Sequence, residues 1–153
     1  MAQASSSQHN PALKPLEILA GDWEMELSNA FFLPSPPDTA KGPVSFEWVQ
    51  DGAFLLMRMG DKEQGTPSAM WLISRDDAVS DYTVFYYDDR SVSRVYGMSF
   101  VDGIWKMWRA APGFSQRFEG KLSADNNTIT ASWGKLLDGT TWEHDFDVTY
   151  RRR

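Results

Sequence analysis

The residues with the most chemical potential in this chain are Arg94, Tyr96, Arg109, Gln116 and His144, set among the aromatics Phe118, Trp133 and Trp142. Two guanidinium groups suit a carboxylate or a phosphate, because the planar fork donates two parallel hydrogen bonds. An arginine inside a folded domain needs a partner charge, and a bound anion supplies one. A phenol and an imidazole are acid–base groups. His144 reads as a core residue, a ligand contact or general base, or an axial haem ligand. The arginines have a plainer reading as well, in which they reach solvent at a rim or pair with an internal acid.

Whether these side chains meet depends on strand register. Asp102-Gly103 lies between two apolar runs, a strong signal for a two-residue hairpin, since both central residues need positive φ. That turn sets Val101 opposite Ile104, Phe100 opposite Trp105, Met98 opposite Met107 and Tyr96 opposite Arg109. Directly opposed residues share a face. One face therefore carries Arg94, Tyr96, Met98, Phe100, Trp105, Met107 and Arg109. Arg94 and Arg109 are diagonal neighbours, about 7–8 Å apart along the backbone and within reach of long side chains. The other face holds Trp108, which fits poorly with a solvent side.

Further hairpins follow the same rule. Across Asp51-Gly52, Trp48 opposes Leu55, Phe46 opposes Met57 and Val44 opposes Met59. Across the four-residue turn at 124–127, Leu122 opposes Ile129, Gly120 opposes Ala131 and Phe118 opposes Trp133. Across Asp138-Gly139, Trp133 opposes His144, Ala131 opposes Phe146 and Ile129 opposes Val148. The last strand thus turns His144, Phe146 and Val148 inward, and Glu143, Asp145 and Asp147 outward.

Strands are predicted over 22–28, 44–50, 53–60, 67–75, 82–87, 91–101, 104–110, 114–123, 128–136 and 140–151. A helical turn or two over Pro15–Ala20 precedes them, stopped by Gly21. Sequential antiparallel strands with one wet face predict an all-β fold, an up-and-down barrel of about ten strands. Closure removes its edges and can enclose a small ligand. Residues 30–43 contain four of the 8 prolines and read as a long loop, either a lid or a plug. Residues 1–11 are Ser-rich and polar and read as a disordered tail, leaving 12–153 as one domain.

Composition narrows the function. Among 153 residues, 14% are aromatic and none is cysteine, which excludes disulfides and thiolate chemistry. The net charge of −6 disfavours nucleic acid and anionic membranes as partners. No run approaches the roughly 20 apolar residues of a membrane helix, so a cytoplasmic protein is expected; a homodimer is left open. Nucleophile-elbow, P-loop and dinucleotide motifs are missing. With two histidines, one of them His9 in the tail, a His-rich metal site is excluded. Asp76-Asp77 and Asp88-Asp89 read as turn formers.

Gly21-x-Trp23 after a short helix resembles the opening of lipocalin-like (calycin) barrels. The segments 88–100, 105–109, 114–120 and 138–152 resemble a bacterial group of calycin-like proteins, the DUF1579 type, with the likeness running over residues 15–152. The resemblance implies a barrel and carries no settled activity. Nitrobindins, ten-stranded haem-binding barrels, are more distant in likeness. Their Gly-x-Trp-x-Gly-x-Gly opening has Met25 and Leu27 here in place of its later glycines. Arg94-Val95-Tyr96 is similar in type to the Arg-x-Tyr carboxylate clamp of fatty-acid-binding barrels. The leading expectation is a pocket for a small, mostly hydrophobic or amphipathic molecule with an anionic group, held by Arg94, Tyr96, Arg109, Gln116, Phe118, Trp133, Trp142 and His144. The alternatives are a cyclase- or isomerase-type enzyme using His144 or Tyr96, haem binding through His144, and a barrel filled by its own aromatics.

Overall fold

A computed structural model describes residues 10–34, 38–61, 63, 65 and 67–153. The tail expected over 1–11 lies outside these except for Asn10 and Pro11, which begin a helix. That 3-10 helix runs Pro11–Leu19, four residues earlier than expected. The Asn10 side-chain oxygen accepts from the Ala12 amide at 3.1 Å, and Pro11 occupies the first turn, where a missing N–H costs nothing. Leu13, Leu16 and Leu19 recur every three residues, the 3-10 repeat, so all three fall on one face and are fully buried.

Ten strands follow: β1 Gly21–Ser28, β2 Ala40–Val49, β3 Phe54–Met59, β4 Ala69–Arg75, β5 Tyr82–Asp88, β6 Ser93–Val101, β7 Ile104–Arg109, β8 Ser115–Leu122, β9 Thr128–Leu136 and β10 Trp142–Arg152. They close into an antiparallel barrel in chain order, β10 pairing with β1. Registers at Asp51-Gly52, Asp102-Gly103 and 124–127 are those the turn residues dictate. Asp102 and Gly103 have φ of 52° and 75°, as a type I′ turn requires. β2 starts at Ala40, earlier than the prolines suggested. Pro43 sits opposite the end of β3, and its carbonyl accepts from the amide of Gly60, just past that strand, at 2.9 Å.

The Asp138-Gly139 register is a correction. The Asp138 carboxylate accepts the amides of Thr140 and Thr141, at 2.9 and 2.8 Å, which opens the turn into a longer loop. Phe146 therefore opposes Trp133, and Val148 opposes Ala131. A bulge between His144 and Phe146 adds one residue, Asp145. Phe146 and Val148 face inward as expected and Asp147 outward; Glu143 is exposed but opposes Lys135, Asp145 is buried and His144 is exposed.

The two ends of the barrel differ. At one end the N-terminal helix lies across the opening, and Trp23 Nε1 donates to the Leu19 carbonyl at 2.9 Å. The Arg152 guanidinium stacks on the Trp23 ring at 4.1 Å and donates to the carbonyls of Ile18, Ala20 and Asn126. Above this cap Trp105 packs among Phe46, Trp71, Phe118 and Tyr150 with centroid separations of 4.9–6.1 Å. This half is filled by aromatic side chains; the other half is not.

Candidate functional site

The open half holds a cavity of about 580 Å³, well inside the range for small-molecule pockets. Its wall is built by period-two alternation: Trp71 from β4, Tyr86 from β5, Tyr96 from β6, Gln116 from β8, Trp133 from β9, and Phe146 and Val148 from β10. The rim comes from Phe31 and Phe32 after β1, Arg90 before β6, Phe114 before β8, and Leu137 after β9.

A polar row crosses the wall at one level. Tyr96 Oη donates to Gln116 Oε1 at 2.6 Å. Gln116 opposes Lys135 across β8 and β9. Lys135 Nζ stands 3.4 Å from Asp145 Oδ1, with both side chains mostly buried, and 4.2 Å from the Phe31 ring centroid. At the other end of the row, Arg94 lies over the rings of Phe114 and Tyr86, at 4.9 and 5.7 Å. Among the described residues no carboxylate lies within ion-pair distance of Arg94. Arg90, by contrast, is paired, its Nη2 lying 2.6 Å from Asp88 Oδ2.

Burial pushes the Tyr96 hydroxyl above its usual pKa, against the opposing pull of Arg94. Burial also raises Tyr86, to about 12, helped by its hydrogen bond to Asp88. Both phenols are therefore neutral hydrogen-bonding groups at ordinary pH.

Of the residues singled out in the sequence, Arg94, Tyr96, Gln116 and Trp133 meet on the cavity wall. Phe118 is buried one layer below, its ring 5.0 Å from that of Trp133, and supports the wall without lining it. Arg109 opposes Gln116 in the ladder, yet its guanidinium turns to the Phe114 carbonyl at 3.1 Å and leaves the cavity. Of the two guanidinium groups expected in one polar region of the cavity beside Tyr96, Arg94 lines the cavity, while Arg109 donates to the Phe114 carbonyl and acts on the Tyr96 hydroxyl through its charge.

Trp142 and His144 are corrected as well, for both lie on the outer face. The Trp142 ring stacks on the Arg117 guanidinium at 4.3 Å. His144 Nε2 is 2.8 Å from Asp147 Oδ1, which also accepts from Ser132 Oγ at 2.7 Å. Among the described residues no histidine lines the cavity, so haem held through His144 does not fit this site. An acid–base role for His144 inside the barrel fails for the same reason. The exposed Trp108 is accounted for by Gly97, whose missing side chain leaves room for the indole to lie on the strand.

Several wall residues went unremarked in the sequence. Trp71, Tyr86 and Lys135 were legible there, since strict alternation puts each on the same face as its buried strand neighbours. Asp145 was not, because only the bulge turns it inward. Phe31 and Phe32 sit at the rim, 77% and 50% exposed. The Phe32 ring packs edge-on against Phe146 at 5.4 Å, and neither ring plugs the barrel. Residues 35–37 of the expected loop lie outside the described ones. Asp76 and Asp88 cap turns, as read from the sequence.

These features define a ten-stranded antiparallel barrel, capped at one end and hollow at the other. No protein-family model matches the sequence, and no curated protein matches it. Among solved structures the chain is similar to the crystal structure of Rv2717c from M. tuberculosis, with a TM-score of 0.60 at 13% identity, covering 95% of this chain and 99% of that one. At that identity the likeness carries the fold and nothing finer.

Proposed function

We propose that the barrel binds a small, mostly apolar molecule carrying one anionic group, in the cavity between Trp71, Tyr86, Tyr96, Trp133 and Phe146. The observation that carries this is Arg94, a cation on the cavity wall that lies on two aromatic rings and has no carboxylate partner among the described residues. A half-buried guanidinium flanked by apolar surface is poorly solvated, so an incoming carboxylate or phosphate gains most of the Coulomb attraction. The Gln116 amide nitrogen adds a neutral donor, because its oxygen is already engaged by Tyr96. The aromatic walls supply affinity through burial. We also take the chain as a calycin-like barrel akin to the DUF1579 type, a reading supported by the Gly21-x-Trp23 opening and the Trp23–Arg152 stack that seals the capped end.

The test uses biphenylcarboxylate with its acid in the para position, and its neutral amide, titrated by calorimetry. The acid is expected to bind more tightly than the amide. Arg94→Met should remove about 1–3 kcal/mol from the acid and little from the amide, while leaving the fold intact. Equal affinity of the wild-type protein for acid and amide ends the anion reading.

A further inference from the structure

Tyrosines 86, 96 and 150 all line the cavity, and they differ in one respect. Tyr86 donates to Asp88 Oδ2 and Tyr96 to Gln116 Oε1. Tyr150 has no such partner. It is 1% exposed, and burial alone pushes its hydroxyl above the usual pKa, with no hydrogen bond contributing. Buried hydroxyls are nearly always paired, and leaving one unpaired is costly. The atom is also open to the cavity. Among the described residues, Ser45 Oγ, Trp71 Nε1, Trp105 Nε1 and Asp145 Oδ1 are sealed off without a partner, and Tyr150 Oη is not one of these. Tyr150 forms part of the cavity floor. Its ring lies 5.8 Å from that of Trp105 in the filled half, and it opposes Met25 in the β1–β10 ladder. Arg94 stands at the mouth, against Phe114.

We propose that the Tyr150 hydroxyl donates a hydrogen bond to a carbonyl oxygen at the inner end of the ligand. The cavity then takes an apolar oxo acid, with the acid group at Arg94 by the mouth and the carbonyl at the floor. The surroundings of Tyr150 select this group. Met25 lies opposite it, Val148 precedes it on the same face of β10, and Trp71 packs on Trp105 beside it. None of these carries a charge or a strong acceptor. A ligand cation or a second anion at the floor would lose its hydration for one neutral hydroxyl. A ligand hydroxyl accepts from Tyr150 as well, but leaves its own proton unpaired. A carbonyl oxygen accepts and has no proton to place, so both partners are satisfied. Between the two poles the walls are aromatic, with Trp71, Tyr86, Tyr96 and Trp133 in edge-to-face or tilted contact, which suits flat rings.

The acid half of this class rests on the Arg94 reading; the carbonyl half does not. Acetylnaphthalene is compared with its isopropenyl analogue, in which a methylene group replaces the carbonyl oxygen at nearly equal volume. Both are neutral, so the anion reading does not enter. The wild-type protein is expected to bind the ketone about fivefold more tightly, the scale of a neutral hydrogen bond. Tyr150→Phe deletes one oxygen atom and keeps the ring, and should abolish the preference, whereas Arg94→Met should keep it. The carbonyl stretch of the bound ketone, read by infrared difference spectroscopy, should lie at lower frequency in the wild type than in Tyr150→Phe. No ketone preference in the wild type, or one that survives Tyr150→Phe, overturns the assignment to Tyr150. If that variant fails to fold, the wild-type spectrum decides: a stretch equal to that of the ketone dissolved in alkane overturns the assignment. Equal binding of acetylnaphthoate and its amide, with the ketone preference intact, overturns the Arg94 reading and the acid half of the class, and leaves Tyr150 as a carbonyl donor. The two failures are thus distinguishable.

Discussion

Asp88 shows how much one side chain can organise. It accepts from the Arg90 guanidinium at 2.6 Å, from Tyr86 Oη at 2.7 Å, and from the Arg90 amide at 2.9 Å. These donors, the Arg90 guanidinium foremost, hold its carboxyl well below the usual carboxylate range. The same contacts hold Arg90 at the rim as a paired cation. The pH consequence follows from linkage: a depressed carboxyl pKa contributes stability that is fully present above the unfolded value and lost as pH falls toward the folded one. The unfolded value is near 3.8. Urea midpoints measured from about pH 6 down to about pH 2 should therefore fall on the acid side in the wild type, and fall less steeply in Asp88→Asn. Parallel acid limbs in the two proteins would show that these hydrogen bonds do not persist in solution.

Among the elements, the N-terminal helix and the end of β10 depend on each other. A nine-residue 3-10 helix is too long to persist on its own hydrogen bonds. It is held by three buried leucines and by Arg152, which takes the helix's terminal carbonyls and presses Trp23 beneath it. Arg152→Met keeps some of the packing on Trp23 and loses the charged hydrogen bonds. The expected cost is about 2 kcal/mol, read as a lower urea midpoint at unchanged slope, with faster amide exchange across residues 11–20. A change within a few tenths of a kcal/mol would mean that the leucines alone hold the cap.

On the scale of the whole molecule, the packed core and the cavity occupy the two ends of one barrel. The capped half is filled around Trp105, which is fully buried among four aromatic neighbours. Trp105→Ala should cost about 3–5 kcal/mol, as large-to-small core changes do. Phe32→Ala, at the half-exposed rim, should stay within about 0.5 kcal/mol while weakening binding of the biphenyl acid. Chemical unfolding and calorimetric titration of the two variants separate these effects. Similar stability losses in both would contradict the division.

The sequence by itself determined the strand count, three of the four hairpin registers read from turn residues, and the shared faces of the strands those three hairpins join. It could do so because Asp-Gly turns and two-residue alternation are local: φ at Asp102 and the side-chain period along β6 need no knowledge of the rest of the chain. The same alternation placed Arg94, Tyr96, Gln116 and Trp133 on one wall. What it could not reach depended on which of several backbone partners a polar side chain in a turn would take. The Asp138 carboxylate chose two backbone amides over a tight turn, and the resulting bulge exchanged the roles of His144 and Asp145. Arg109 shares a face with Arg94, but a carbonyl in the following turn captured its guanidinium. A one-residue insertion inverts a face without changing composition or pattern, and a long side chain on the right face still has several places to go. Only the closed barrel, with both sides of each contact in place, decides between them.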